Sequence, residues 1–124
     1  MHRALFSLLA TLGMLFASAA LAQNYPVKPV RLIVPALPGG VTDGKARAVA
    51  NGLQPVLGQP IVIENRAGAN SNIGTEACAK SVADGYTLCV LPGVVISINP
   101  LAYANLAFDI DRDFAPVIHL GVLD

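Results

Sequence analysis

Short unbroken apolar runs alternate along this chain with longer stretches in which apolar residues recur every three or four positions. Val30-Arg31-Leu32-Ile33-Val34 is a β-branched run stopped by Pro35, which predicts a strand. Pro38-Gly39-Gly40 marks a turn. From Thr42 to Leu57 the apolar positions are Ala46, Val49, Ala50, Leu53, Val56 and Leu57, a helical spacing. Thr42 or Asp43 suits its N-cap and Gly58 its end. Gly44 and Gly52 lower the helical propensity without cancelling the pattern. The unit then repeats. Ile61 to Glu64 predicts a second strand, Gly68-Ala69-Asn70-Ser71-Asn72 a polar turn, and Ile73 to Val82 a second helix with Ile73, Ala77 and Val82 on its apolar side. Asp84-Gly85 predicts a turn and Tyr86 to Leu91 a third strand, broken by Pro92-Gly93. Asn99 to Tyr103 suits a short helical turn. Phe114 to Val122 suits a fourth strand that Pro116 confines to an edge.

Strands separated by helices imply parallel pairing through right-handed crossovers. Nearly continuous apolar strands fit a parallel sheet covered on both faces. The expected fold class is therefore α/β. In such a sheet every strand-to-helix turn lies at the carboxyl ends of the strands, where ligands bind. Three turns at that edge carry glycine: Pro38 to Asp43, Gly68 to Asn72, and Pro92-Gly93. Glycine allows close approach to the backbone. The first two turns lead into helix N-termini, whose free N–H groups favour an anion. For each turn taken singly, glycines that only tighten the backbone are the first explanation; three on one edge shift the balance toward a site, with a small carboxylate-like anion as the expected guest.

The first twenty-two residues follow a different pattern. Met1-His2-Arg3 is a short basic segment, and Ala4 to Ala17 is apolar apart from Ser7, Thr11 and Gly13. Small Ala20 and Ala22 then occupy the −3 and −1 positions of a cleavage site, so residues 1–22 read as a secretory signal cut between Ala22 and Gln23. The apolar run is shorter than the ~20 residues that span a bilayer. Export implies an oxidising compartment, in which Cys78 and Cys89 either pair or remain as two small buried thiols.

Composition narrows the function. Of 124 residues, 54% are hydrophobic and 13% charged, which excludes a disordered tail. Eight basic residues balance eight acidic ones, which excludes the basic footprint of a nucleic-acid binder. Neither glycine turn matches G-x-G-x-x-G, and no phosphate-loop or G-x-S-x-G motif occurs. His119 is the one histidine beyond the signal, and it lies in an apolar stretch. Two cysteines and one histidine without short spacing make a weak metal set. Asp109, Asp111 and Asp113 alternate like calcium ligands but lack the glycine and the closing glutamate, and read as a solvated loop. Arg66 suits an anion, or a pairing with Glu64 or Asp43. No cofactor and no enzymatic activity are expected.

The ordered set Tyr25-Pro26-x-Lys28-Pro29-Val30-Arg31-Leu32-Ile33-Val34-Pro35, Pro38-Gly39-Gly40-x-Thr42-Asp43, Leu57-Gly58-Gln59-Pro60, Glu64-Asn65-Arg66-x-Gly68-Ala69, Asn72-Ile73-Gly74, Asp84-Gly85-Tyr86-Thr87-Leu88, Ile98-Asn99-Pro100 and Asp113-Phe114-Ala115-Pro116-Val117 resembles the opening of the tripartite tricarboxylate transporter substrate-binding proteins, the Bug-type periplasmic receptors. The resemblance covers residues 23–124. It implies a type II Venus-flytrap receptor with two α/β domains, monomeric when complete, that captures a small carboxylate between them and presents it to membrane permease subunits in the periplasm. Family members run to about 300 residues, a two-domain size. On this reading residues 23–124 are the N-terminal portion of the first domain.

The family's ligand loops map onto Pro38 to Asp43, onto the Gly68 to Asn72 turn and onto Pro92 to Ser97, and the resemblance puts the ligand-binding residues at Gly39, Gly40, Val41, Thr42 and Asp43, at Ala69, Asn70 and Asn72, and at Pro92 and Gly93. In that assignment Gly39, Gly40, Val41 and Thr42 present backbone amides, Asp43 caps the helix or orients a bound group, and Asn70 and Asn72 donate. The chain departs from the family at Gly93 and Val94, where Gly or Ser is common, at Gly44-Lys45, usually apolar, and at Asn70-Ser71, often glycines. Two other readings compete: a truncated remnant without function, and a small secreted interaction protein that pairs through its sheet edge.

Overall fold

A computed structural model describes residues 25–121. The signal reading, with its cleavage between Ala22 and Gln23, lies outside the described residues. The elements run β1 (Val30–Val34), α1 (Val41–Leu57), β2 (Ile61–Asn65), α2 (Asn72–Ala79), β3 (Thr87–Cys89), α3 (Gly93–Ser97), α4 (Asn99–Ala102) and α5 (Ile110–Asp113). The three strands form one parallel sheet in the order β2-β1-β3. The fold is α/β, as the strand–helix alternation predicts. Because the chain moves to one side of β1 and then crosses to the other, β1 sits where the strand order reverses, the place where open α/β sheets bind ligands.

β1 is central, and alternate side chains leave it on opposite faces. Val30, Leu32 and Val34 form the main core with Ala46 and Ala50 of α1 and Ile61 of β2. Ile33 is fully buried on the other face, toward α2. Burial of each of the valine, leucine and isoleucine side chains contributes about 1.5–3 kcal/mol. Coverage of the second face is incomplete. Helix α2 lies over β1 and β3, so Val62 on β2 is 52% exposed.

Several boundaries differ from expectation. Helix α1 begins at Val41, and its N-cap is Gly40, without a side-chain cap, rather than Thr42 or Asp43. Its expected apolar face is only half used. Ala46 and Ala50 are buried, whereas Val56, beside Pro55 inside the helix, is 79% exposed. Helix α2 ends at Ala79, not Val82. The Ser81 amide bonds back to the Cys78 carbonyl at 2.9 Å and its hydroxyl donates to Ala77 O at 2.8 Å, closing the last turn. Its buried side is Gly74, Thr75 and Cys78, while Ile73 and Val82 face outward. The expected fourth strand does not form within the described part of that segment, Phe114 to Gly121. Asp109 caps the one-turn α5 by accepting from the amides of Asp111 and Arg112, both at 3.0 Å. The aspartate triplet is thus a capping device with an Arg112–Asp113 ion pair. Cys78 and Cys89 form a disulfide with Cα atoms 6.3 Å apart, within the ordinary range, and it pins α2 to the end of β3.

Candidate functional site

The three glycine-bearing turns lie together at the carboxyl edge of the parallel sheet, after β1, β2 and β3. In the first, Gly39 has φ +82°, a conformation that favours glycine. Gly40 has ordinary extended angles, and an added Cβ would meet only Leu37 O, at 3.5 Å. The fold therefore does not demand glycine at position 40. Its bare backbone keeps the mouth of α1 open.

Asp43 lies in the first turn of α1 and is 1% exposed. It accepts from Gly39 N at 2.9 Å, from Arg47 Nε at 2.8 Å and Nη2 at 3.2 Å, and from Asn65 Nδ2 at 2.8 Å. The Arg47 guanidinium, the Gly39 amide and the Asn65 amide together hold its carboxyl well below the usual carboxylate range, against the opposing cost of burial. Both Asp43 oxygens are engaged by the protein, so it braces the first turn. Gly39 N is committed with it. The backbone amides of Val41 and Thr42 carry no hydrogen bond among the described residues, as expected of the first turn of a helix. Asn65 ties the turn to β2 by a second bond, from Nδ2 to Ala36 O at 3.1 Å.

The second turn is conformationally unusual. Ala69, Asn70 and Ser71 all have positive φ, at 46°, 53° and 72°, directly after Gly68 at 127°. Left-handed geometry costs a non-glycine residue about 1 kcal/mol or more each, and asparagine tolerates it best. Local bonds hold the turn. Asn72 N donates to Ala69 O at 3.0 Å, Thr75 N to Ser71 O at 3.2 Å, and Thr75 Oγ1 to the same oxygen at 2.9 Å. Asn72 and Ile73 thus spend their backbone amides inside the turn, contrary to the expectation of free N–H groups at this helix start. The amides of Ala69 and Asn70 have no partner among the described residues.

Asn99 locks this turn to the segment that follows β3. It is fully buried. Asn70 Nδ2 donates to Asn99 Oδ1 at 2.7 Å, and Asn99 Nδ2 donates to Asn70 O at 2.9 Å and to Asn72 Oδ1 at 2.6 Å. The exposed Asn70 side chain thus spends one Nδ2 proton on Asn99, whereas Asn72 keeps its whole Nδ2 without a partner among the described residues. In the third turn Pro92 caps α3 and Gly93 is exposed, with nothing within 4 Å of the place a Cβ would take.

Gly74 sets the spacing between the first two turns. A Cβ there would lie 2.6 Å from both Arg66 O and Pro35 Cβ. Only a bare Cα lets α2 settle against the end of β1. Arg66 pairs with Glu64, which also meets Arg31 Nε at 3.1 Å, so Arg66 is engaged away from the turns. His119 is exposed. Among the described residues no group of three His, Cys, Asp or Glu side chains could hold a metal.

Asn65, Gly74 and Asn99 are supports to which the sequence assigns no role, although all three stand in the segments that carry the family resemblance. For Asn65 and Asn99 a further signal was a polar amide next to a strand end or helix start at the ligand edge. The role of Gly74 depends on how closely α2 approaches β1, which no local pattern shows.

With this geometry in view, the comparisons with known proteins are direct. The family described as "Tripartite tricarboxylate transporter family receptor" matches residues 45–123. Protein BugT of Bordetella pertussis is 42% identical over 120 residues, covering 92% of this chain and 37% of BugT. MatC from Rhodopseudomonas palustris, solved with bound malate, superposes with a TM-score of 0.71 at 36% identity, over 75% of this chain and 32% of MatC. A second R. palustris protein, solved with adipate, gives a TM-score of 0.66 at 39% identity, over 68% of this chain and 28% of that one. The chain spans roughly a third of the length of the curated relatives it matches. The matched span, the parallel sheet and the carboxyl-edge turns lead to one assignment: this chain belongs to the tripartite tricarboxylate transporter receptor family.

Proposed function

We propose that this chain forms one wall of a periplasmic receptor that captures a small carboxylate and hands it to the permease subunits of a tripartite membrane transporter. Residues 1–22 are its export signal and residues 23–124 the opening portion of its first α/β domain. The observation that carries the reading is the convergence of unspent donors at one edge of the sheet. The amides of Val41 and Thr42 stand at the positive end of a 17-residue helix, at the same edge as a turn whose Asn72 side-chain amide is also unspent. A helix start supplies partial positive charge, roughly half an elementary charge. The one anionic group in that first turn, Asp43, is neutralised by Arg47 and so does not repel a guest. Two structural relatives were solved with malate and adipate, both dicarboxylates, which supports the same ligand class here. No catalytic step is invoked, since capture needs only donors and shape.

Calorimetric titration of the chain with malate and with adipate tests the proposal. The expected result is carboxylate-dependent heat that disappears in Gly40→Val, which keeps the fold because position 40 has extended angles and room for a Cβ, with the melt lowered by only the few degrees that a poorer N-cap costs. Absence of heat and of any ligand-dependent rise in melting temperature, up to millimolar ligand, would contradict it.

A further inference from the structure

The hydrogen-bond network around Asn99 fixes which atom Asn72 shows to a ligand. An asparagine amide has one accepting and one donating end. Asn99 faces the backbone carbonyl of Asn70 at 2.9 Å, and a carbonyl only accepts. The end of Asn99 pointing there must therefore be Nδ2. That same Nδ2 lies 2.6 Å from Asn72, so Asn72 must present its oxygen inward. The opposite end of Asn99 must be Oδ1, which obliges Asn70 to donate to it at 2.7 Å. One backbone carbonyl thus sets the orientation of three side-chain amides in sequence. The outcome is that the Asn72 amide nitrogen faces away from the network.

We propose that buried Asn99 is the positioning residue of the ligand edge: it holds the left-handed turn Ala69–Ser71 in place and orients Asn72 so that its N–H₂, and not its oxygen, meets the guest. This deepens the carboxylate reading and rests on it for the identity of the ligand. Donor polarity at residue 72 then discriminates a carboxylate from a neutral group that would have to donate. Two features place the control at Asn99 and not in the turn itself. It is fully buried, so water does not compete for its bonds, and it comes from α4, a separate element 29 residues further along the chain than Asn70. It therefore couples the turn after β2 to the segment after β3, and a guest held by Asn72 feels both.

Hydrogen exchange of side-chain amides, followed by NMR on the ligand-free chain, tests the orientation without assuming any ligand. Both amide protons of Asn99, and the one Asn70 amide proton bonded to it, are expected to be protected and those of Asn72 to exchange freely. Protection of Asn72 with free exchange at Asn99 would overturn the proposal, whatever the chain binds. A malate titration of the same sample is expected to shift the Asn72 side-chain pair. Shifts at Val41 and Thr42 without Asn72 would remove Asn72 from the site and overturn its assigned role. Absence of any shift would overturn the carboxylate reading, while the ligand-free exchange still decides the network.

Asn99→Asp removes the donor to Asn70 O and offers Asn72 an acceptor in its place. The Asn72 amide should then turn inward and become protected, with malate affinity falling at least tenfold. Should that variant fail to fold, Asn72→Asp decides the matter from the surface. Its affinity for malate should fall at least tenfold at neutral pH and recover relative to the parent as pH falls, because two facing carboxyl groups can share a proton. A pH-independent loss equal to that of Asn72→Ala would overturn the assignment.

Discussion

The two rims of the sheet are built from different materials. At the amino-terminal rim, Tyr25 donates to Gly85 O at 2.6 Å and packs on Tyr86 with ring centroids 5.1 Å apart, while Lys28 meets Asp84 at 3.3 Å and lies over the Tyr86 ring. These contacts are largely exposed. The carboxyl-terminal rim is held by buried polar groups, Asp43 and Asn99, around a turn in an unfavourable conformation. The first rim closes the fold at its surface and tolerates change. The second is over-determined, and over-determination is what keeps a strained turn and unspent donors in one arrangement.

Substitutions should separate the rims by the size of their effects. The largest belongs to Gly74→Val, because backbone at 2.6 Å cannot yield as a flexible side chain would. A loss of about 3 kcal/mol or more is expected in urea melts. Next is the Cys78–Cys89 disulfide, which closes a short loop between residues 11 apart. Its replacement by paired serines should cost about 3 kcal/mol through unfolded-chain entropy. The melt should also become less cooperative around α2 and the turn that follows β3.

Asp43 gives an intermediate effect with a pH signature. Its folded-state pKa lies below its unfolded value, so the unfolded chain binds the extra proton. The stabilisation is complete above the unfolded carboxyl value, about 3.9, and drains away as pH falls toward the folded one. Melts at descending pH should show this loss in the parent and a flatter profile in Asp43→Asn, which should melt several degrees lower at neutral pH. The smallest effect belongs to the opposite rim. Lys28→Ala should cost less than about 1 kcal/mol, because its ion pair and its ring contact are exposed.

Much of the frame is readable from the sequence. The limits of β1, the parallel order implied by strand–helix alternation, and the three turns at one edge all follow from β-branched runs and Gly/Pro punctuation. Other features depend on partners that no local pattern reveals. Asp43 resembles an N-cap in sequence, yet it lies inside the helix, because its partners Arg47 and Asn65 draw it inward. Val94-Val95-Ile96 lacks any local helix signal, and α3 forms around the burial of Val95. The apolar run after Phe114 resembles a strand but finds no neighbour to pair with among the described residues. At the candidate site, glycines marked the turns correctly, while assigning the donors required the hydrogen-bond network. Asn70 and Asn72 look equivalent in sequence, and only the Asn99 contacts show that Asn70 donates into the network while Asn72 accepts from it and keeps its Nδ2 unengaged.

The most direct test of the central claim is a map of backbone amide shifts across residues 25–121 during a malate titration. Saturable shifts concentrated at Val41, Thr42, Ala69 and Asn70, with the Tyr25 to Lys28 and Asp84 to Tyr86 rim unmoved, are the predicted result. Shifts centred on that opposite rim would contradict the account.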